Sequence, residues 1–214
     1  MPRMRSVIAA VLVAAFLTGP ARASHVSGGG TPTVSVAAGD LIYTATPALG
    51  INAQFTVRRL AADGGVVWEV GYGRGRAEEA TAIAATPDGG VVVAGANKDG
   101  CFIARWDSQG RLVWEGTPTN RGQCRPAGVV VDGEASSYLL ATIEGSAGFD
   151  AMTWKFGPKG DQVWSYRYAS NETLYAQNLY LDPRGDRLRA FVLRKHGTEY
   201  VEEFFRLDLA GRKL

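Results

Sequence analysis

The sequence predicts an all-β fold, a β-propeller of four-stranded antiparallel blades with about four blades in this chain and the last one incomplete. Three observations carry that expectation. A phrase recurs along the 214 residues: "RLAADGGVVW" at 59–68, "RWDSQGRLVW" at 105–114, "KFGPKGDQVW" at 155–164 and the truncated "RLDLAGRKL" from 206. The phrase keeps three columns in register. A basic residue opens it (Arg59, Arg105, Lys155, Arg206), a glycine follows five residues on (Gly64, Gly110, Gly160, Gly211), and a tryptophan closes the first three copies (Trp68, Trp114, Trp164). Finally, 27 glycines separate short apolar runs, as a chain of tight turns and short strands requires.

A fixed period of this size belongs to propellers and solenoids, in which one unit cannot bury its two apolar faces alone. Each copy divides into four strands. In the first they are "TVSVA", "LIYTAT", "QFTVRRL" and "VVWEV"; in the second "ATAIAA" (80–85), "GVVVAG" (90–95), "CFIARW" (101–106) and "RLVWE" (111–115). The third has "AGVVV", "SYLLAT", "AMTWKF" and "QVWSY", and the fourth "AQNLYL", "RLRAFVL", "EEFFRL" and the stub "RKL". The blades are expected at about 33–71, 80–116, 127–168 and 174–214. "TPDGG" supplies a turn through Pro and Gly, and "DSQG" a bulged hairpin through its left-handed glycine. A tryptophan at one position of every copy is expected to pack on the neighbouring blade rather than to line a ligand site.

Residues 1–23 read as a secretory signal. Arg3 and Arg5 precede the apolar run "VIAAVLVAAFLT", which is too short to span a bilayer, and "ARA" places cleavage between Ala23 and Ser24. Residues 24–32, "SHVSGGGTP", read as a flexible leader. Exported, periplasmic or extracellular localisation follows, with no integral membrane segment after cleavage. The full chain has 23 basic and 21 acidic residues; loss of Arg3, Arg5 and Arg22 would leave a mature charge of −1. A near-neutral surface gives no electrostatic footprint for nucleic acid.

The stretch "GRAEEATAIAATPDGGVVVAGANKDGCFIARWDSQGRLVW" resembles the bacterial exported β-propeller repeat known as SBBP. The resemblance covers about 33–214 and is strongest at 73–115, whereas "VDGEASS" and "DPRGDR" depart from it at the inner turns of the third and fourth copies. It implies the propeller fold and export, and little about activity, since propellers host many functions. The G-x-x-x-W ending is also similar to quinoprotein propellers. Their cofactor-binding residues have no match here, so no cofactor is expected. The break in mid-motif favours a fragment of a larger ring. Closure as four blades with help from the N-terminal segment, and assembly of two chains through the open terminal blade, are the other outcomes.

Antiparallel strands sort the loops onto two faces. One face carries short, stereotyped turns. The other carries the second-to-third loops and the blade connections, which vary and are the better place for function. Candidate binding residues there are Tyr72, Arg74, Arg76, Glu78, Lys98, Asp99, Arg121, Glu144, Phe149, Asp150 and His196. Cys101 and Cys124 fall on the same face and are expected to form a disulfide in an oxidising compartment. Catalytic groups are sparse: only His25 and His196 occur, no G-x-S-x-G elbow is present, and no metal site is expected. The expectation is a non-enzymatic scaffold binding a protein or glycan. A propeller hydrolase or lyase is the alternative, and requires Glu78, Asp99, Glu144 or Asp150 to converge. A quinoprotein-like dehydrogenase ranks below both.

Overall fold

The structure is a computed structural model; it describes residues 23–26, 33–47, 55–73, 75, 78–119, 122–145 and 148–214. Among these are sixteen strands and no helix. Blade 1 comprises β2 (Thr33–Ala38), β3 (Leu41–Pro47), β4 (Phe55–Leu60) and β5 (Val66–Tyr72), with β1 (Ala23–Val26) added to the free edge of β2. Blade 2 comprises β6 (Glu79–Ala85), β7 (Val91–Asn97), β8 (Gly100–Trp106) and β9 (Leu112–Gly116). Blade 3 is β10 (Cys124–Val131), β11 (Ser137–Gly145), β12 (Gly148–Phe156) and β13 (Gln162–Tyr168). Blade 4 is β14 (Thr173–Leu181), β15 (Arg187–His196) and β16 (Glu199–Asp208). The stub "RKL" contributes a single bridge, Leu207 to Lys213, and a hydrogen bond from Leu214 N to the Arg206 carbonyl. All pairings are antiparallel and in sequence order, as four-stranded blades require.

The repeat therefore translates into blades, and one expectation needs correction. Residues 24–26 of the expected flexible leader are strand, pairing Ala23 with Val36 and Ser24 with Ser35. The free backbone groups on the edge of β2 offer a ladder to any adjacent extended segment, whatever its composition. The rest of that leader, 27–32, and the signal segment 1–22 lie outside the described residues. With β1 on blade 1, the N-terminal strand does not complete blade 4.

Buried apolar residues form three clusters, one per seam. Blades 1 and 2 enclose Tyr43, Phe55, Val57, Ile83, Val91, Phe102 and Trp106. Blades 2 and 3 enclose Val92, Ile103, Trp114, Leu139, Trp154 and Phe156. Blades 3 and 4 enclose Tyr138, Leu140, Leu174, Leu188, Phe205 and Leu207. Among the described residues no cluster joins blade 4 to blade 1, so the blades form an open array.

The repeated columns are one device. Trp68 Nε1 and Arg59 both donate to the Ser108 carbonyl at 3.0 and 2.6 Å. Trp114 Nε1 and Arg105 both donate to the Pro158 carbonyl at 3.0 Å. Trp164 Nε1 and Lys155 donate to the Leu209 carbonyl at 3.0 and 3.5 Å. Each acceptor lies two residues before the turn glycine of the next blade, and the indole lies on that glycine. A Cβ at Gly110, Gly160 or Gly211 would stand 2.8–2.9 Å from the Trp ring. These glycines also have φ of +78°, +89° and +84°, which L side chains adopt only under strain. The basic residue, the glycine and the tryptophan are thus conjoined across the seam rather than within a blade.

Blade 3 shows what the altered inner turn does. "VDGEASS" puts Ala135 at φ +62°, where blade 2 has Gly89 at +77°. Asp132, buried, accepts hydrogen bonds from Glu134 N (3.0 Å), Ser136 N (2.8 Å) and the Tyr138 hydroxyl (2.8 Å), and these hold the turn. Ala135→Gly is expected to raise stability by up to about 1 kcal/mol, read from urea unfolding, because it relieves the left-handed alanine; a loss instead would show that unfolded-chain entropy dominates at this site.

Tyr138 also sets an alkaline limit. Burial first, and then the Asp132 carboxylate, push its phenol far above the ordinary value of 10.0. Folding thus favours the neutral phenol. Its contribution is complete below pH 10 and declines as pH rises from there toward the folded value. Tyr43, Tyr166 and Tyr168 are raised in the same direction, chiefly by burial. Tyr138→Phe is expected to lessen the alkaline slope of stability by about 1.4 kcal/mol per pH unit, measured by urea unfolding between neutral and alkaline pH; an unchanged slope would contradict the assignment.

Candidate functional site

On the face bearing the variable loops, blades 2 and 3 form an open groove of about 830 Å³. One wall is the second-to-third turn of blade 2, Asn97–Gly100, and the other is Gly122–Pro126, the end of the blade connection and the first residues of β10, with Glu144 near the end of β11. Glu79 and Thr81 of β6 and Arg125 also line it. The groove is thus polar and carries both signs of charge.

Its walls are held from several sides. The Cys101–Cys124 disulfide joins the start of β8 to the start of β10, and both cysteines are buried (1% and 5% exposed). Glu144 N donates to the Gln123 carbonyl at 3.0 Å, and Gln123 N donates to the Glu144 carboxylate at 3.3 Å. Upstream, Thr119 donates through both N and Oγ1 to Gln162 Oε1 at 3.0 Å, while Trp154 Nε1 donates to the Thr119 carbonyl. Thr81 Oγ1 donates to the Pro126 carbonyl at 3.1 Å, tying the inner strands of the two blades.

A smaller cavity of about 160 Å³ adjoins the groove through Asn97, lined by Tyr72, Glu78, Phe102, Glu115, Gly116 and Thr117. Tyr72 packs on Phe55, Phe102 and Trp106, with ring centroids 5.1–5.6 Å apart, and its hydroxyl donates to Glu115 at 2.9 Å. Glu78 is 4% exposed.

The structure places the sequence-derived candidates in four groups. Lys98, Asp99 and Glu144 meet in the groove. Tyr72 and Glu78 meet in the adjoining cavity. Phe149 lies against Tyr175, 5.8 Å between centroids, and Asp150 is held by Arg167 at 2.5 and 2.8 Å. His196 pairs through Nδ1 with Glu172, whose carboxylate also accepts from Arg194 at 2.9 Å; Arg194 in turn reaches Glu203 at 2.7 Å. The hydrogen bond from His196, and then that from Arg194, hold the Glu172 carboxyl below its usual range. Arg74, Arg76 and Arg121 lie outside the described residues. Of the carboxylates that an acid/base enzyme would gather, Asp99 and Glu144 line one groove, while Glu78 lies in the adjoining cavity and Asp150 in an ion pair with Arg167.

The sequence pointed to the second-to-third loops and the blade connections but marked none of Asn97, Gln123 or Arg125 there, nor Thr81 and Glu115, which lie in strands. The signal available for Thr81 was a hydroxyl in the otherwise alanine-rich "ATAIAA". Among the described residues no three His, Cys, Asp or Glu side chains gather closely enough to hold a metal ion, and no helix is long and apolar enough to cross a membrane.

No family model matches the chain, and no curated protein matches it. Solved structures do resemble it. A protein from Lactobacillus plantarum superposes with a TM-score of 0.58 at 12% identity, over 92% of this chain and 67% of that one. The WD40 domain of Pan2 from Neurospora crassa superposes with a TM-score of 0.50 at 12% identity, over 92% and 65%. Puromycin hydrolase superposes with a TM-score of 0.50 at 18% identity, over 82% of this chain and 26% of that one. A Bacteroides caccae protein of unknown function is covered over 52% of its length. This chain thus spans from about a quarter to two thirds of the length of these solved chains. At such identities the likeness concerns the fold alone, and with the four sheets it makes the architecture an open or partial β-propeller.

Proposed function

We propose that this chain is an exported, non-enzymatic propeller module that holds a protein or glycan in the groove between blades 2 and 3. The observation that carries this reading is the groove itself. It is open, polar, lined by loops of the variable face, and braced by a disulfide between its two walls and by hydrogen bonds along the Gly122–Pro126 wall. A braced wall reduces the ordering cost of binding. The SBBP-type resemblance and the export signal remain part of the proposal, and the disulfide favours an oxidising compartment.

The test is retention of the purified chain on immobilised oligosaccharides and on charged synthetic peptides, compared with Asp99→Lys/Glu144→Lys. Binding to one probe class, weakened at least about tenfold by the double variant, is the expected result. Equal retention of both chains would move the site elsewhere. Turnover of a bound sugar or ester, abolished by Glu144→Gln, would replace this reading with the hydrolase or lyase alternative.

A further inference from the structure

Three seams of the array use the same latch, and the glycine turn and the basic residue of a fourth stand at opposite ends of the chain. At one end stands an uncovered socket. Gly64 has the same turn and a φ of +84°, yet no heavy atom lies within 4 Å of where its Cβ would stand. Ala62, two residues before it and exposed, occupies the acceptor position of Ser108, Pro158 and Leu209. At the other end stands Arg206, fourth in the basic column. Its guanidinium lies 5.3 Å from the Phe204 ring instead of on a carbonyl of a next blade.

The faces around the two halves differ from the internal seams in complementary ways. Strand register makes Ala45, Ala94 and Leu140 equivalent to Phe191, and Val57, Ile103 and Thr153 equivalent to Phe204. Blade 4 is therefore bulkier at its centre. Blade 1 is correspondingly slighter: Thr56 stands where blade 2 has Phe102, and Leu60 where it has Trp106. The polar changes match as well. Tyr43 reaches the first turn of the next blade, donating to the Gly89 carbonyl at 2.6 Å. Its equivalent in blade 4 is Arg189, and the first turn of blade 1 is Gly39–Asp40, an exposed carboxylate.

We propose that this chain associates head to tail with a second copy, blade 4 of one seated on blade 1 of the next. Arg206 then donates to the Ala62 carbonyl, Arg189 pairs with Asp40, and Phe191 and Phe204 fill the space above Thr56 and Leu60. The contact is heterologous, so repetition gives a ring or a filament. The proposal stands independently of what the groove binds.

The test is light scattering of the full chain over a concentration series, with Asp40→Arg, Arg189→Asp and the two combined. All these positions are exposed, so folding is retained, and far-UV circular dichroism checks it. The wild-type mass is expected to exceed one chain and rise with concentration. Each single variant weakens association at least about tenfold through like charge. An equimolar mixture of the two single variants regains it, because every junction then pairs Arg with Asp, and so does the double variant. A wild-type chain that stays monomeric at every concentration overturns the proposal. Association that Asp40→Arg leaves unchanged overturns it too, since the contact would then be blade 4 on blade 4 or on another surface.

Discussion

Trp114→Ala is expected to lower the unfolding free energy by about 3–5 kcal/mol, the range for truncating a large buried aromatic. Trp114 is 8% exposed in the seam between blades 2 and 3. Its ring stacks with Phe156 at 6.2 Å and lies on Gly160, and its Nε1 satisfies the Pro158 carbonyl. Alanine removes the apolar contact, opens a cavity between two sheets, and leaves Arg105 as sole side-chain donor to that carbonyl. Trp68 and Trp164 make the same contacts from half-buried positions, so their truncation is expected to cost less, about 2–3 kcal/mol. Gly160→Leu attacks the seam from the opposite side, with a side chain in a left-handed backbone and against the indole. Urea unfolding of each variant decides the matter. A loss below about 1 kcal/mol for Trp114→Ala would mean that the tryptophan column does not hold the blades together.

Reduction of the disulfide is the second large effect. Cys101 and Cys124 are 23 residues apart, and on the chain-entropy account closing such a loop contributes about 3 kcal/mol. The bond crosses the same seam as Trp114 and anchors the connection that forms one wall of the groove. A Cys101→Ala/Cys124→Ala chain is expected to unfold about 2–4 kcal/mol more readily and to be indifferent to dithiothreitol, whereas the wild-type chain loses the same amount when reduced. A wild-type chain equally stable with and without reductant would show that the unfolded state, not the native seam, dominates the balance. Because both sulfurs are buried, reduction is expected to need partial opening of the seam, so it proceeds faster in Trp114→Ala than in wild type.

Most of the fold was legible because the repeat is written in local chemistry. All fifteen full strands expected from the apolar runs are present; most are longer by one to four residues, while β4, β7 and β9 begin one residue later than their pattern. The extensions lie chiefly toward the variable face, as in "AGVVV" growing to Cys124–Val131. Those added residues, Cys124, Arg125 and Pro126, do not alternate, so no pattern marks them. They pair because β11 is long enough to offer a ladder, with a bulge after Pro126 absorbing the mismatch. β1 was missed for the same reason: "ASHV" has little strand character of its own.

The candidate site was legible only as a set of loops. Cys101 and Cys124 could be placed together because antiparallel blades bring their loops to one face. Lys98, Asp99 and Glu144 were named, yet nothing in the sequence told them apart from Asp150, whose charge is absorbed by Arg167, a residue in another strand. Tyr72, named among the binding residues, is half-buried and packs against the core between blades 1 and 2 while lining the smaller cavity.

By itself the sequence determined the blade, its four strands, its turns and the columns that recur in each copy, since all of these follow from spacing within about 50 residues. Tertiary structure alone decided that the basic residue and the tryptophan of one copy share a carbonyl of the next, and that Gly110, Gly160 and Gly211 are seats for indoles. It alone decided which charged loop residues face a common groove. The physical reason is that periodicity records which side chains leave the water, whereas the identity of the atoms they meet depends on how one blade is rotated onto another. That rotation is set by packing volumes summed over a whole seam.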